Sequence, residues 1–432
     1  MAFLAYRKHR ILFYAALGAL AFLILSLSLT LPARPAEATT VFTPSCQSAA
    51  GGTYVRDAEL NPHEMLAVWQ TDPVVNSKNA VITPGSVHIA SIDRNTGKFL
   101  TASEMLFTNT NPAPIDLTLN GPEWGCSQNR CAAYFTSYNT SSTNLRLGKV
   151  FRGQLGKWNV TFLPQGNDKS TAFATLDFAS PDPISLYYIN TTGNFKLNTF
   201  KSQGTFGWRT DVSNPVDTTM PAGTAAGRWV PGTKQVVVKN FVQSAGATTM
   251  QVLLYDTATK KSDVVVSGLQ GSSVLITPFA WQAPEFGGAT AVLMPMNTLS
   301  NSQTINVYRK NTTTGAWDVY TTITPPDPTY GVLWSPEPFV FKGHSYLSFA
   351  GYKTQVNGSP TGPSEVWIVS VDPTLSPAIR QQVSVNFDPN EESLKNDPET
   401  LPIASGTKIV VYYIDKGTAT LPMDTKVCDA GL

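Results

Sequence analysis

Seven short strand-like segments recur along the chain, and their regular spacing is the feature that most restricts its fold. They are rich in Val, Tyr, Phe and Ile and are bounded by Gly, Pro, Asn and Asp, which is typical of β-strands between turns. The segments are 65–70, 132–137, 184–189, 235–241, 289–294, 345–350 and 408–414. No stretch after residue 38 keeps a helical period with caps, so we expect an all-β domain.

A second pattern lies beside these segments and consists of a strand, a tight turn and a return strand. The first example covers residues 88–99, where Asn95, Thr96 and Gly97 supply a turn that tolerates positive φ. Similar hairpins are predicted at 150–161, 187–197, 253–264, 307–319 and 367–383.

Each unit therefore opens with a short acidic or proline-containing segment, continues with an inner strand and ends with an outer hairpin. The opening segments begin near Asp57, Gly121, Phe173, Ala225, Phe279, Leu333 and Asp397. Their spacing of about 50–65 residues predicts a β-propeller of four-stranded blades, with six or seven blades and five as the smaller alternative. Two stacked β-sandwich domains are the competing architecture, which does not require such a period.

The last unit has only about 35 residues, which is short for a blade. We expect a strand from residues 39–53 to complete it, with a Cys46–Cys428 disulfide closing the ring. The two remaining cysteines, Cys126 and Cys131, flank a short segment, and a disulfide between them would fasten a turn. Four free buried thiols are the alternative, whereas zinc is disfavoured because no His lies at ligand spacing from a cysteine.

A basic and then apolar segment precedes the β-rich region. Three basic residues within the first ten are followed by the uncharged run 11–31, and Ala36-Glu37-Ala38 has the form that signal peptidase cuts. The run is also long enough to cross a bilayer as a helix. Residues 1–38 are therefore either a signal peptide or a membrane anchor, and in both cases the more basic N-terminal flank places the propeller domain, 39–432, outside the cytoplasm.

The charge content argues against a polyanionic partner. Charged residues make up 14% of the chain and the net charge is +1, without a basic stripe. A nucleic-acid-binding protein is disfavoured on that ground. The protein is expected to be secreted or membrane-anchored, and to contact a membrane only through its N-terminal segment if that segment is not cleaved.

A proline followed by a carboxylate recurs in the opening segments. The instances are Gly121-Pro122-Glu123-Trp124, Ser180-Pro181-Asp182-Pro183, Ala283-Pro284-Glu285-Phe286, Ser335-Pro336-Glu337-Pro338 and Asp397-Pro398-Glu399-Thr400. The first unit instead offers Asp57 and Glu59. Because corresponding positions of propeller blades converge at the central channel, these residues predict a ring of carboxylates.

Such a ring is unfavourable unless it has a purpose, because neighbouring carboxylates raise one another's pKa. A proton donor beside an ionised partner is one purpose, and a bound cation such as calcium is another; no other cofactor is expected. Aromatic residues beside the acids would provide flat walls for a sugar ring, and these are Trp124, Trp281, Phe286 and Trp334. The structural alternative is that each Glu accepts hydrogen bonds from the backbone of the next blade, and that the tryptophans belong to the core.

One segment resembles a known family. The sequence from Leu333-Trp334-Ser335-Pro336-Glu337 to Ser345-Tyr346-Leu347 is similar to the blade opening of the five-bladed propeller glycosidases of the arabinanase and xylosidase type. In that family, three acids from different blades act as general base, pKa modulator and general acid. The resemblance implies Glu123, Glu285 and Glu337 as candidate catalytic residues, without assigning a role to each.

These observations favour an extracellular carbohydrate-active or carbohydrate-binding propeller, with glycoside hydrolysis by channel-mouth carboxylates as the enzymatic version. The alternative is a non-catalytic extracellular scaffold that binds a protein or a cell-surface ligand, and the sequence does not decide between enzyme and binding protein. Candidate ligand-binding residues are Asp57, Trp124, Asp182, Trp281, Phe286, Trp334 and Glu399.

Overall fold

The computed structural model describes most of residues 46–432, and it describes only the backbone at some positions within strands, including Asp57 and Cys126. The segments outside the description, besides residues 1–45, are 51–55, 72, 79–80, 101–103, 109–119, 128–129, 138–145, 154–155, 163–170, 174–183, 190–194, 204–206, 211–215, 218–223, 245–246, 257, 270–277, 357, 373–382, 386–393 and 418–422. The predicted N-terminal helix and Asp182 lie outside the described residues.

The described strands form seven sheets of four or five antiparallel strands and one two-stranded ribbon. Strand β1 (Cys46–Ser48) belongs to the last of these sheets. Sheet 1 contains β2 (Arg56–Asn61), β3 (Leu66–Thr71), β6 (Ser86–Ser91) and β7 (Glu104–Thr108), and the ribbon β4 (Val74–Val75) and β5 (Val81–Thr83) interrupts it. Sheet 2 contains β8 (Asn120–Ser127), β9 (Arg130–Ser137), β10 (Arg146–Arg152) and β11 (Trp158–Phe162). Sheet 3 contains β12 (Thr171–Phe173), β13 (Ile184–Ile189), β14 (Phe195–Gln203), β15 (Gly207–Thr210) and β16 (Val216–Asp217).

The C-terminal half continues in the same way. Sheet 4 contains β17 (Thr224–Trp229), β18 (Gln235–Ser244), β19 (Ala247–Asp256) and β20 (Lys261–Leu269). Sheet 5 contains β21 (Phe279–Ala283), β22 (Ala289–Met296), β23 (Thr304–Lys310) and β24 (Trp317–Ile323). Sheet 6 contains β25 (Val332–Phe341), β26 (His344–Val356), β27 (Ser359–Ser370) and β28 (Val383–Val385). The closing sheet contains β29 (Lys395–Ile403), β30 (Lys408–Asp415), β31 (Asp424–Asp429) and β1.

The strand order agrees with the predicted repeat in all seven sheets. Each opening segment lies in the first strand of a sheet, and each of the seven strand-like segments lies in the second strand. The sequence interpretation is therefore wrong in one respect, because it took the second strands as the inner ones. The first strands of neighbouring sheets contact each other, for example β2 with β8 and β29 with β2, so the opening segments themselves line the centre.

Residues of the second strands are buried on both faces of their sheets, and successive residues pack against different neighbouring sheets. This explains why the sheets stack side by side. In β3, Leu66 and Val68 pack in a cluster with Trp124 of sheet 2, whereas Ala67 and Trp69 pack in a cluster with residues of the closing sheet. Successive side chains of a strand point to opposite faces, so both faces of sheet 1 are buried against a neighbour. This is the packing of a propeller blade.

The same alternation appears on the other side of the ring. In β22, Val292 and Met294 pack against sheet 4, and Ala291 and Leu293 pack against sheet 6. Shared clusters of this kind join sheets 4, 5 and 6, the closing sheet and sheets 1 and 2 in that order. At backbone level, β12 of sheet 3 lies next to β9 of sheet 2. The molecule from residue 46 onward is a β-propeller.

The closing sheet joins the two ends of this domain, as the short last unit predicts. Strand β1 pairs with β31, and Cys46 lies opposite Cys428 with a disulfide between them and a Cα–Cα distance of 4.2 Å. The predicted closure is confirmed. In sheet 2, Cys131 lies opposite Cys126 in the β8–β9 register and is also disulfide-bonded.

Helical structure is sparse in the part of the chain that the structure describes. It contains three 3₁₀ turns: Pro284–Phe286, Pro328–Tyr330 and Ala404–Gly406. Among the described residues, none of the helices has the length and apolar character needed to cross a bilayer.

Candidate functional site

A β-bulge interrupts the first strand of five sheets at an equivalent place. In sheet 2, Asn120 pairs with Thr136 before the bulge and Glu123 pairs with Tyr134 after it, so two residues on β8 lie opposite one on β9. The same offset occurs in four other sheets. The first paired residue after the bulge is Glu59 in sheet 1, Glu123 in sheet 2, Glu337 in sheet 6 and Glu399 in the closing sheet, and in sheet 4 Arg228 comes second, after Gly227. We call these five residues the channel cluster.

The bulges have an unusual backbone that fixes the direction of the following side chain. Ser335 and Asp397 each lie two residues before a channel-cluster Glu, and their φ angles are 45° and 55°. Left-handed conformations are unfavourable for residues other than Gly, and they persist where the surrounding structure imposes them. Bulges of this kind turn a side chain away from its regular direction.

Arg228 forms an ion pair with Glu123 inside the cluster. Its guanidinium group donates to the Glu123 carboxylate, and it also lies over the Phe279 ring, 5.1 Å from the ring centroid. Burial by itself lowers the pKa of Arg228, but the charges of Glu123, Glu337 and Glu59 raise it further, so that its pKa is above the usual value. Three carboxylates from three different sheets therefore act on one guanidinium group.

The charges that act on Glu399 are those of carboxylates, and they disfavour its ionised form. Burial raises its pKa well above the ordinary range, and the charges of Glu337, Glu59, Asp397 and Glu123 raise it further. Glu399 therefore holds a proton more tightly than an ordinary carboxyl group does, and other carboxyl groups surround it. This arrangement is frequent at sites of proton transfer.

The strand that carries Glu399 is fixed to sheet 6 by its neighbours. Tyr352 donates from its hydroxyl group to Asn396 Oδ1 at 2.9 Å. Burial raises the pKa of Tyr352, and the Asp397 carboxylate raises it further, so this phenol remains a donor. The position of β29 relative to sheet 6 is therefore set by a buried hydrogen bond.

Glu285, one of the three predicted catalytic acids, is not in the channel cluster. It follows β21 in a 3₁₀ turn, whereas the cluster residues lie within their strands. Its carboxylate accepts hydrogen bonds from the Ser345 N–H at 2.6 Å and from Ser345 Oγ at 2.7 Å. Glu285 thus connects sheet 5 to sheet 6, which is the structural role considered for the Pro-Glu pairs.

Two of the predicted aromatic walls are core residues. Trp124 is 1% exposed and donates from Nε1 to the Glu59 carbonyl oxygen at 2.9 Å. Trp281 is 4% exposed and donates to Ser345 Oγ at 2.9 Å. The prediction that they face a ligand is wrong, because burying a large indole between two sheets leaves no free ring face.

The other two predicted aromatic residues are partly exposed but lie in different places. Phe286 follows Glu285 and packs edge-on against Tyr320, with 4.6 Å between ring centroids, away from the cluster. Trp334 precedes the bulge of sheet 6 and is half-buried against Val332 and Tyr352. Trp334 is the predicted aromatic residue that remains near the cluster by position on its strand.

Two cluster members were not among the predicted site residues. Glu59 was noted beside Asp57, and the structure places Glu59 in the cluster while it describes only the backbone of Asp57. Arg228 has no place in the predicted ring of carboxylates. A signal was present, since Arg228-Trp229 in sheet 4 takes the place of Glu123-Trp124 in sheet 2.

The described residues contain no group of three or more His, Cys, Asp or Glu side chains placed to hold a metal ion. The site as described consists of carboxyl groups, one guanidinium group and a half-buried indole.

Comparison with known proteins gives similarity at the level of structure. No family model matches the chain, and no curated protein matches it. A sialidase from Trypanosoma rangeli is 10% identical with a TM-score of 0.42, covering 90% of this chain and 57% of the sialidase. Sqt1 from Chaetomium thermophilum is 13% identical with a TM-score of 0.44, covering 89% of this chain and 90% of Sqt1. The β-propeller domain of the Trilobed protease from Pyrococcus furiosus is 10% identical with a TM-score of 0.38, covering 71% of this chain and 80% of that domain.

This chain therefore spans little more than half the length of the sialidase. The similar structures are propeller proteins at low identity, and the likeness concerns the fold. We base the propeller assignment on the strand pairing and on the clusters shared between sheets.

Proposed function

We propose that the protein is a seven-bladed propeller whose channel cluster binds a carbohydrate and hydrolyses a glycosidic bond. The observation that carries the proposal is the convergence of four glutamates from four sheets at one bulge position. Glycoside hydrolysis requires two carboxyl groups in different protonation states, one to protonate the leaving oxygen and one to act as base or nucleophile.

The environments of the cluster residues support a division of roles. Glu399, whose pKa is raised by burial and by its acidic neighbours, is the proposed proton donor. Glu337 is the proposed base or nucleophile, because it is among the charges that act on Glu399 and lies in the adjacent sheet. Glu123 is held by Arg228 and is proposed to bind substrate hydroxyl groups.

Several features support a neutral polyhydroxy ligand. Carboxylates accept hydrogen bonds from hydroxyl groups, and the half-buried Trp334 offers a ring on which a sugar can stack. Arg228 is paired with Glu123, so a substrate carboxylate would meet an excess of negative charge. The proposed chemistry requires no cofactor, because carboxyl groups supply both the proton and the nucleophile.

We also propose that the propeller works outside the cytoplasm, either secreted or attached by its N-terminal segment. The Cys46–Cys428 disulfide supports this location, since disulfides persist in oxidising compartments.

The test is sugar release from a panel of plant, fungal and bacterial polysaccharides by the protein and three variants. Glu399→Gln and Glu337→Gln should each reduce kcat by about 10²-fold or more. Glu285→Gln is the matched control, because it changes a Pro-Glu pair outside the cluster and should retain kcat. Equal activity of all three variants would exclude the proposed roles.

The rate should also depend on pH in a defined direction. Glu399 must be protonated to act as donor, so kcat should fall as the pH rises through its raised pKa, and this alkaline limb should disappear in Glu399→Gln. A pH–rate profile of the protein and of this variant checks the assignment. An alkaline limb that survives in the variant would contradict it.

One observation favours a second candidate, a non-catalytic propeller that binds a glycan or a protein. Glu285 shows that a Pro-Glu pair in this fold can serve only to join two sheets. For such a protein the same panel would give saturable binding in calorimetry without sugar release. Glu399→Gln would then weaken binding without any change in turnover.

A further inference from the structure

The contact between sheet 6 and the closing sheet contains a line of buried polar groups. Ser364 Oγ donates to the Lys395 carbonyl oxygen at 2.7 Å and accepts from the Lys395 N–H. Lys395 Nζ donates to the Ser364 carbonyl oxygen at 3.3 Å, and both residues are at most 1% exposed. Together with the Tyr352–Asn396 bond, these contacts form what we call the polar seam.

A carboxyl group lies directly beside this seam. Glu365 follows Ser364 on β27 and is 3% exposed, and its Oε2 has no hydrogen-bond partner among the described atoms. Tyr330 donates a hydrogen bond to its carboxyl group. Lys395 of the closing sheet, whose Nζ already donates to Ser364, faces it as a positive charge.

Two further charged groups face Glu365. Asp327 precedes the 3₁₀ turn that carries Tyr330, and Lys353 lies on β26 with its Nζ 5.3 Å from the centroid of the Tyr330 ring. Lys353 is exposed, whereas Glu365 is enclosed. The charged groups around this carboxyl group are thus two lysines and one aspartate.

The seam bears on the channel cluster because both lie on one strand. Strand β29 begins at Lys395, and Glu399 follows four residues later, directly after the bulge of this strand. A change in how sheet 6 holds the start of β29 therefore reaches Glu399 through the backbone.

We propose that Glu365 makes the polar seam sensitive to pH, because ionisation of its enclosed carboxyl group weakens the attachment of β29 to sheet 6. An ionised Oε2 without a donor is costly in this enclosed place, and one lysine that is already hydrogen-bonded to a carbonyl does not offset that cost.

The direction of the effect follows from the pKa of this group. Burial raises the pKa of Glu365 from 4.5 to about 7; Lys395, Tyr330 and Lys353 lower it, and Asp327 raises it. The folded protein therefore holds a proton that the unfolded chain loses at lower pH. Stability from this group is complete below pH 4.5, declines between pH 4.5 and about 7, and is absent above that range.

Thermal unfolding between pH 5 and pH 9 tests the proposal on the protein itself. The Tm of the wild type should fall by roughly 2–5 °C between pH 5 and about pH 7 and then level off, and Glu365→Gln should lack this component because its amide does not ionise. Glu104→Gln, at an exposed site on β7, should follow the wild type. Parallel Tm profiles of the wild type and Glu365→Gln would overturn the proposal.

A second variant keeps the test decisive if Glu365→Gln folds poorly. Lys353→Met removes an exposed charge that lowers the pKa of Glu365, so the fall in Tm should move to higher pH, whereas Lys98→Met should not move it. Hydrogen exchange of the β29 amides, corrected for intrinsic rates, should be faster above the transition in the wild type. An unmoved transition in Lys353→Met would contradict the proposal. No ligand or activity enters these measurements, so the outcome is independent of the proposed glycosidase function.

Discussion

Arg228 occupies a position that is glutamate in four other sheets, and this exchange changes the charge balance of the cluster. Its guanidinium group pairs with Glu123 and is acted on by Glu337 and Glu59 as well. Without a cation here, the glutamates would face one another with no compensation, and more of them would have to take up protons.

The effect of removing this cation can be measured. Arg228→Met should lower the free energy of unfolding by about 1–2 kcal/mol, because it removes the cation that pairs with the half-buried Glu123 carboxylate. Glu123→Gln in the same background should recover part of the loss, so the two substitutions should be strongly non-additive in a urea-unfolding cycle. Additive costs would mean that the pair contributes little.

The Pro-Glu repeat predicted part of this site and also misled in one place. Glu123, Glu337 and Glu399 follow a proline within a bulge, and the structure brings them together. Glu285 follows a proline too, but its proline begins a 3₁₀ turn after β21. A four-residue motif does not show which end of a strand it occupies, because that depends on the register with the next strand.

At the scale of the strand, the bulge is the device that builds the cluster. It inserts one extra residue into the first strand of five sheets, and in two of them a residue other than Gly adopts a left-handed conformation at that point. In sheet 6 this residue is Ser335, with a φ of 45°.

Substitutions at Ser335 should separate backbone strain from side-chain contacts. Ser335→Gly should be neutral or stabilise the protein by up to about 1 kcal/mol, whereas Ser335→Val should destabilise it by about 1–2 kcal/mol. The reason is that a β-branched side chain is strongly disfavoured at positive φ. Denaturant unfolding of both variants measures the difference, and similar stabilities would argue against a fixed left-handed conformation there.

The second strands were easier to predict than the first. In β22 the apolar run Ala291-Val292-Leu293-Met294 is buried on both faces, so it stands out in the sequence. The first strands mix Pro, Glu and Asn with apolar residues, because one end of each faces the channel. Their acidic residues pointed to the channel, but the strand pairing was needed to show that these segments are themselves the first strands.

For the whole molecule, closure of the ring depends on the two ends of the propeller domain. The length of the last unit was enough to predict that an N-terminal strand completes it, and β1 does so by pairing with β31. The Cys46–Cys428 pairing followed from the same argument, since a closed ring brings these two residues to one sheet.

The disulfide should contribute measurably to stability. Replacing Cys46 and Cys428 together by Ser should lower the free energy of unfolding by roughly 2–5 kcal/mol, since the bond closes a very long loop in the unfolded chain. Replacing Cys131 by Ser breaks a second disulfide in the same protein and serves for comparison. Equilibrium unfolding of both variants without reductant gives the values, and an unchanged midpoint for the double variant would contradict a stabilising closure.

The pairing of β1 with β31 also has a consequence for the order of events during synthesis. The first strand of the domain leaves the ribosome long before residues 424–429, its only partner strand in the closing sheet, have been made. Throughout that interval Cys46 has no Cys428 to bond with, and the edge of β1 is free to pair elsewhere. Folding of the last sheet, and oxidation of its disulfide, must therefore wait until residues 424–429 have been made.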